Sequence, residues 1–363
     1  MTLENNTARR VVFTVRDEAP DEFLTTPVIV GGVAAPWDTI ESTYTVTPYR
    51  RGEYRFGRTV LRYQTRLGLF ERQTHAENAG LALVYPDILE LRKHTLTARG
   101  TEQESARKLR LQGDAEFERL REYTQDDEYR RIDWNATARG RKLIVREYQT
   151  ERNQNILLMF DLGRQMTSPY GELLKVDHAI NSGVVLGYVG ARRGENIGVL
   201  TFDDDVRTYL PPRSGNLQFR RILDALYAAQ VQLVEPDFPR AFSYLAVRNP
   251  RRSLVVVFTD TAGAAASDEL LRGVVALRPR HPLLVVLLMD PEIARYAESE
   301  PEGEAGLYRK AVAQQLLDER SLFVRRLDAM GVHVLDVPAE RLSVALLDRY
   351  LSVKARAEPD PGC

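Results

Sequence analysis

The second half of the chain alternates short apolar runs with amphipathic stretches. The apolar runs occupy residues 156–160, 197–202, 254–258, 283–289 and 332–337. Runs this short and uninterrupted predict strands buried on both faces of a parallel sheet. The stretches with apolar residues at helical spacing occupy residues 172–190, 217–229, 304–330 and 340–355. Alternating strands and helices predict an α/β fold, a doubly wound and mostly parallel sheet with right-handed crossovers.

The first part of the chain has a different pattern. Residues 1–100 contain short segments rich in β-branched and aromatic residues, separated by proline and glycine. Such segments predict a small antiparallel β-sandwich domain. Residues 101–153 are polar and then densely charged, and we interpret them as a segment that couples two domains. The predicted α/β domain then spans residues 154–357.

Aspartates follow several of the predicted buried strands, among them Asp161, Asp203 and Asp260. Open α/β sheets bind ligands at the carboxyl ends of their strands. Asp161 and Asp260, with the amide oxygen of Gln165, offer the oxygen ligands that Mg²⁺ prefers. Aspartate is also a common helix N-cap where a strand turns into a helix. A weak Mg²⁺ site and a purely structural role, with no cofactor, therefore both stay open.

Composition and charge exclude several classes of function. The formal net charge is −1, which gives no general attraction to nucleic acid. The single cysteine is Cys363, so an internal disulfide is excluded and a cytoplasmic location is expected. The longest apolar run, residues 283–289, falls far short of the roughly 20 residues that cross a bilayer. Nucleotide-binding loops and the common zinc-protease and serine-hydrolase motifs are absent from the sequence.

The charged part of the coupling segment, residues 113–152, holds ten acidic and nine basic side chains. Arginine and carboxylate can form bidentate pairs, and the interleaved aromatic rings offer faces for arginine to stack on. We interpret the segment as a partly buried network of ion pairs that clamps the two domains together. The alternative is a solvated surface, where exposed pairs contribute at most about 1 kcal/mol each.

Residues 154–353 resemble a von Willebrand factor A domain. In that family an Asp-x-Ser-x-Ser motif follows the first strand and another aspartate follows the fourth. This chain has both aspartates, as Asp161 and Asp260, but Gly163 and Gln165 replace the two serines. The resemblance therefore implies a degenerate metal site.

The family's metal site also takes a threonine from a later loop. The corresponding stretch here, VEPDFPRAFSY, is expected to be that loop, and it offers Asp237 and Ser243 but no threonine. We expect the strand-end carboxylates to form one docking surface, with Ser243 beside it. This surface is called the carboxylate edge below, and it comprises Asp161, Asp203, Asp237 and Asp260.

The charged segment resembles the signature of a bacterial and archaeal family named domain of unknown function 58. The run begins Gly-Asp-x-Glu-Phe and continues through Arg-Glu-Tyr, Arg-Arg-Ile-Asp-Trp and Ala-Arg. The upstream motifs YRRGEYRFG and RLGLF fit the same family, so the resemblance covers most of the chain. The signature residues assigned to the interdomain clamp are Arg121, Glu122, Asp127, Arg130, Arg131, Asp133, Trp134 and Arg139.

What the resemblance implies is a chaperone-like adaptor rather than an enzyme. Members of the family typically carry two membrane helices ahead of this region and are often encoded beside MoxR-type AAA+ ATPases. The implied partners are such an ATPase and an unidentified client protein, at the cytoplasmic face of the membrane. The chain would reach the membrane only through helices that it does not itself contain. The alternative function is a metal-dependent hydrolase or phosphatase that uses the strand-end aspartates.

Overall fold

The computed structural model describes residues 1–21, 23–65, 68–77, 80–86, 115–123, 132, 134, 137–138, 142–150, 154–260, 264–301 and 303–357. Two kinds of architecture follow each other along the chain. The amino-terminal part is built from antiparallel strands, and the part from residue 154 onward is an α/β sheet covered by helices. Both predictions of secondary-structure class are therefore confirmed, whereas the finer prediction of a β-sandwich stays a prediction.

The amino-terminal strands pair only with antiparallel neighbours. A four-stranded sheet has the order β4-β2-β8-β9, and the remaining strands form the pairs β1-β5, β3-β6 and β7-β10. Their bounds are β1 Thr2–Glu4, β2 Val11–Asp17, β3 Phe23–Thr26, β4 Val30–Ala34, β5 Thr39–Glu41, β6 Thr45–Pro48, β7 Gly52–Arg55, β8 Arg58–Gln64, β9 Glu71–Glu77 and β10 Leu81–Val84.

Strand β2 shows why this part folds as half-buried sheet. This strand lies between β4 and β8. Its residues Phe13 and Val15 are buried, whereas Val12 is exposed. This alternation places every second side chain on the inner face of the sheet. Asp17 ends the inner row and is buried, and it accepts hydrogen bonds from the hydroxyls of Tyr44 (2.5 Å) and Thr59 (2.7 Å).

The charged segment contributes an antiparallel pair, β11 Ala115–Glu122 and β12 Ile144–Thr150. A one-residue irregularity interrupts their register between Phe117 and Arg119, as expected of a β-bulge. Most of the segment between the two strands lies outside the described residues.

The α/β part has a six-stranded sheet with the order β17-β16-β13-β18-β19-β20. All neighbours are parallel except the edge strand β17, which runs antiparallel to β16. The strands are β13 Asn155–Asp161, β16 Asn196–Phe202, β17 Val206–Arg213, β18 Ser253–Thr259, β19 Leu283–Leu288 and β20 His333–Val337, and the short hairpin β14 Pro169–Tyr170 with β15 Leu173–Leu174 lies outside the sheet.

Helices cover both faces of this sheet. Their bounds are α1 Lys175–Arg192, α2 Asn216–Tyr227, α3 Phe238–Arg248, α4 Ala264–Leu277, α5 Pro291–Glu298, α6 Gly303–Ala329 and α7 Ala339–Ala357. Alternate residues of the central strand serve the two sides. Leu158 and Phe160 pack in the core beneath α1 and α7, and Leu157 and Met159 pack in the core beneath α3, α4 and α6.

The five predicted buried strands are all present, but the expectation about one connection is wrong and one strand of the sheet was missed. Residues 238–248 form helix α3 instead of continuing the loop of VEPDFPRAFSY. Asp237 caps this helix by accepting the amide N–H of Arg240 at 2.8 Å, and Pro239 fits its first turn. Strand β17 was not predicted at all, because its alternating and partly exposed residues lack the continuous apolar run of the buried strands.

In the part of the chain that the structure describes, no helix is both long enough and apolar enough to cross a membrane.

Candidate functional site

The register of the sheet brings the strand-end carboxylates together. Strand β13 lies between β16 and β18, and it pairs with both in parallel. Asp161 ends β13, Asp203 follows β16 and Asp260 follows β18. The three aspartates therefore lie together at the carboxyl ends of these parallel strands, as predicted, and all three are buried.

Asp161 occupies the centre of the carboxylate edge, and its side chain is fully buried. One carboxylate oxygen accepts the amide N–H of Gly163 at 2.7 Å, and the other accepts the hydroxyl of Thr259 at 2.6 Å. Burial, and to a smaller extent the nearby charges of Asp260 and Asp203, raise the pKa of Asp161 to about 7, although the hydrogen bonds from Thr259 and Gly163 lower it. A substantial fraction of the Asp161 side chains is therefore protonated at neutral pH.

Asp260 is neutralised by two cationic side chains of the protein itself. Its carboxylate accepts the Lys175 ammonium at 2.6 Å and the Arg320 guanidinium at 2.8 Å. Lys175 is the first residue of α1, and Arg320 comes from α6. Arg320 also forms a bidentate pair with Asp336 of β20. Both oxygens of Asp260 are thus engaged, and a metal ion could bind them only by displacing these partners.

The Arg320 guanidinium holds this cluster together. Burial alone would lower its pKa, but the contacts with Asp336 and Asp260 outweigh burial and raise the pKa. The arginine is therefore a permanent positive charge beside Asp260. Planar guanidinium suits this position because its donors can serve two carboxylates at once.

Asp203 is held on the other side of Asp161. Both of its oxygens lie 2.7 Å from Nε of Arg207, and one accepts the amide N–H of Asp205 at 3.0 Å. Burial would raise the pKa of Asp203, but these hydrogen bonds outweigh it and lower the pKa. A cavity of about 440 Å³ lies beside this pair, with Leu162 and Gln232 in its wall.

The loop after β13 explains why a serine is missing at position 163. A side-chain carbon at Gly163 would lie 2.9 Å from Cδ of Pro236 and 3.0 Å from the carbonyl oxygen of Val234. The loop is fixed there, since the amide N–H of Arg164 donates to the same carbonyl at 2.8 Å. Gln165 follows in a short 3-10 helix, Arg164–Thr167, and is partly buried.

Asp237 and Ser243, the two other residues predicted to take part in docking, lie at different distances from the carboxylate edge. The amide N–H of Asp237 donates to the carbonyl of Asp203 at 2.8 Å, so this residue belongs to the carboxylate edge. Ser243 is exposed six residues further along α3, which is about 9 Å down the helix axis. Ser243 therefore lies away from the edge that it was predicted to join.

The signature residues assigned to the clamp are only partly visible. Arg121 and Glu122 belong to strand β11, and Trp134 is 57% exposed. Asp127, Arg130, Arg131, Asp133 and Arg139 lie outside the described residues. The predicted ion-pair clamp thus stays a prediction.

Sequence reasoning missed the donors that satisfy the carboxylates. Thr259 had a visible signal, because it is the one hydroxyl residue between the apolar run of β18 and Asp260. Lys175 and Arg320 had none, because they lie 85 and 60 residues from Asp260 along the chain. The described residues contain no group of three or more His, Cys, Asp or Glu side chains arranged to hold a metal ion. What the arrangement offers chemically is a set of fixed charges around one carboxyl group, Asp161, whose pKa lies near neutral pH.

Comparisons with known proteins find relatives of low sequence identity. The chain is 23% identical over 250 residues to an uncharacterized protein of Mycobacterium tuberculosis, Rv1480, which covers 64% of this chain and 78% of that protein. It is 22% identical over 228 residues to the uncharacterized protein YeaD of Bacillus subtilis, covering 62% of this chain and 55% of that protein.

Solved structures with a similar fold include BatB from Bacteroides thetaiotaomicron, at 11% identity and a TM-score of 0.35, covering 56% of this chain and 100% of that chain. The von Willebrand A domain of SpRpn10 has 11% identity and a TM-score of 0.33, covering 53% and 94%. A family model described as protein of unknown function DUF58 matches residues 119–298, which include the charged signature from Arg119 onward and the carboxylate edge. The chain is a member of the DUF58 family.

Proposed function

We propose that this protein is a non-enzymatic, chaperone-like adaptor that binds other proteins through the carboxylate edge. The observation that carries the proposal is that protein donors already engage the three buried carboxylates. Asp260 bonds to Lys175 and Arg320, and Asp161 bonds to Thr259. An edge with its charges satisfied in this way suits a fixed recognition surface better than a reaction centre.

Exposed ion pairs surround the buried carboxylates and provide the surface that a partner would contact. These pairs are Asp204–Arg207, Asp205–Arg240 and Glu235–Arg164, and each of their side chains is about half exposed. Exposed pairs of this kind contribute only about 0–1 kcal/mol each. A partner with basic side chains can therefore replace the arginines at little cost and form charge-assisted hydrogen bonds with the same carboxylates.

The proposed partner class rests on what the family resemblance implies. We propose that a MoxR-type AAA+ ATPase and its client protein bind the adaptor at the cytoplasmic face of the membrane. The ATPase would supply the energy for assembly or maturation of a protein complex, and the adaptor would supply the specificity.

The alternative of a metal-dependent hydrolase or phosphatase has less support. It needs a divalent cation between Asp161 and Asp260 and a nucleophile or base beside them. The Lys175 ammonium lies 2.6 Å from Asp260 instead. A cation that binds only the folded state raises the melting temperature with its concentration. Stabilisation by millimolar Mg²⁺ or Mn²⁺, together with phosphatase activity, would favour the enzyme and contradict the adaptor.

Binding to the purified ATPase tests the proposal directly. We would measure the dissociation constant of the unmodified chain and of the double variant Asp204→Lys with Asp205→Lys. The charge reversals leave the buried carboxylates untouched, and we expect them to weaken binding by tenfold or more, since like charges across an interface are costly.

Asp328→Lys is the matched control. Asp328 is an exposed acidic residue near the end of α6. This helix end leads into β20, so Asp328 lies near the amino ends of the strands, opposite the carboxylate edge. We expect this variant to bind like the unmodified chain. The proposal is wrong if the ATPase does not bind, or if reversals at the two edges weaken binding equally.

A further inference from the structure

The side chain of Arg51, in the YRRGEYRFG motif, extends from the amino-terminal β-part and contacts the α/β part. Arg51 directly precedes β7, and its guanidinium reaches the end of α2. Its Nε donates to the carbonyl of Leu226 at 3.1 Å, and one terminal nitrogen donates to the carbonyl of Ala229 at 2.8 Å. The other terminal nitrogen pairs with the carboxylate of Asp177 in α1.

This contact is buried on both sides. The side chains of Arg51 and Asp177 are 6% and 8% exposed. Burial lowers the pKa of Arg51 to about 10, so the guanidinium still carries its charge at neutral pH. A buried charge of this kind is retained only where its partners are well placed.

The receiving groups are suited to a guanidinium in particular. Carbonyl groups in the last turn of a helix lack amide partners within the helix, and the helix dipole makes this end negative. The carbonyl of Leu226 lies in the last turn of α2 and also accepts the amide N–H of Ala229 at 3.3 Å, whereas Ala229 lies just past the end of the helix. These two carbonyls and the Asp177 carboxylate contact the planar group. A lysine ammonium carries its donors on a single nitrogen and does not reproduce this fork.

The site is also held in place without its arginine. The second oxygen of Asp177 accepts the amide N–H of Leu174 at 2.9 Å, just before α1. The carboxylate is thereby fixed by its own part of the chain. Removing the arginine side chain should leave a preformed acceptor site.

A second contact lies beside the first. Gly52 pairs with Val84 in the β7-β10 ladder, so Arg51 and Tyr85 lie at the same end of that ladder. The Tyr85 hydroxyl donates to Asp224 at 3.3 Å, and its ring centroid lies 5.1 Å from that of Tyr227. Arg51 and Tyr85 both contact the carboxyl-terminal half of α2, so this part of the helix packs against one end of the β7-β10 ladder.

We propose that Asp177 and the carbonyls of Leu226 and Ala229 form a guanidinium-binding site, and that Arg51 occupies this site to dock the β-part onto the α/β part. The site is separate from the proposed partner surface, so the two can be tested independently. It also lies near the carboxylate edge, because Asp177 is two residues from Lys175, which bonds to Asp260.

Chemical rescue tests the site. Arg51→Ala removes the ligand, and we expect its melting temperature to fall by roughly 5 °C, from the usual cost of an unpaired buried charge. Millimolar ethylguanidinium should then raise the melting temperature of this variant with concentration. Ethylammonium has the same charge without the planar fork and should have no such effect.

The controls separate site binding from a general effect of the salt. Arg50→Ala removes the neighbouring exposed arginine and should show neither the loss nor the rescue. The double variant Arg51→Ala with Asp177→Asn should lose the response to ethylguanidinium. Equal responses in all variants, or none in Arg51→Ala, would overturn the proposal.

A second measurement applies if Arg51→Ala does not fold. Arg51→Lys keeps the charge but loses the fork, and hydrogen exchange is then compared with the unmodified chain. We expect faster exchange at the end of α2 and in the first turn of α1. Unchanged exchange in both places would show that the fork is not required and would contradict the proposal.

Discussion

Replacing Asp161 with asparagine tests the central electrostatic feature of the carboxylate edge. Asparagine has the same shape and can keep both hydrogen bonds, accepting the amide N–H of Gly163 and donating to the hydroxyl of Thr259. The substitution therefore removes a titrating group from a fully buried position without leaving a cavity. Any change in stability with pH can then be assigned to the carboxylate.

The expected magnitude follows from the raised pKa. Burial moves the pKa of Asp161 from 3.8 to about 7, which corresponds to roughly 4 kcal/mol. The folded protein holds the proton more tightly than the unfolded chain, so the stability that this proton contributes is complete below about pH 4. It is lost as the pH rises to about 7 and then changes no further. Asparagine stays neutral and avoids this loss.

Urea unfolding between pH 4.5 and 8.5 measures the difference. We expect Asp161→Asn to gain on the unmodified chain by up to roughly 4 kcal/mol across this range, with most of the gain below pH 7. Asp204→Asn is the control, because it removes an exposed strand-end carboxylate and leaves the buried carboxylate of Asp161 in place. A constant difference for Asp161→Asn would refute the view that Asp161 is protonated in the folded protein.

Three further substitutions test the packing and pairing of the site by thermal unfolding. Gly163→Ser should lower the melting temperature, because its side-chain carbon would lie 2.9 Å from Pro236, and overpacking of this kind costs about 1–3 kcal/mol. Lys175→Met removes a buried partner of Asp260 and should destabilise by about 3–5 kcal/mol. Ser243→Ala changes an exposed position and should stay within about 0.5 kcal/mol. Stability retained in Lys175→Met would contradict the pairing with Asp260. Stability lost in Ser243→Ala would contradict the exposed position of that side chain.

The sheet could be predicted because its strands are buried on both faces. Strand β19 is the continuous apolar run LLVVLL, and every one of its residues is buried. Such a run is hard to place anywhere except in the centre of a covered sheet. The ends of these strands then follow, and with them the meeting of Asp161 and Asp260 at one edge.

The connections were harder because their signals are local and competing. Helix α3 starts in a proline-containing stretch that was interpreted as a loop, although Asp237 and Pro239 form a regular helix start. Helix α5 has only eight residues, and none of them is fully buried. Two turns give few repeats of the apolar spacing on which a helix prediction depends.

Only part of the chemistry of the carboxylate edge could be predicted from the sequence. The loss of hydroxyl ligands was visible at Gly163 and Gln165, and it indicated a weakened metal site. The gain of cations was invisible, since Lys175 and Arg320 approach Asp260 only after α1 and α6 have packed on the sheet. A sequence shows which ligands are missing from a known motif, but the group that replaces the ion can come from anywhere in the fold.

These two changes support each other physically. The carboxylates at the end of a parallel sheet repel one another, and the charges of Asp260 and Asp203 raise the pKa of Asp161. Without a bound cation the edge needs other positive charge, and Lys175, Arg320 and the proton on Asp161 together supply it. Reintroducing hydroxyl ligands alone would therefore not restore metal binding, because an ion would still have to displace the lysine ammonium from Asp260. An ion could bind both oxygens of Asp260 only after Lys175 and Arg320 were displaced, so these two residues occupy the place that a metal ion would need.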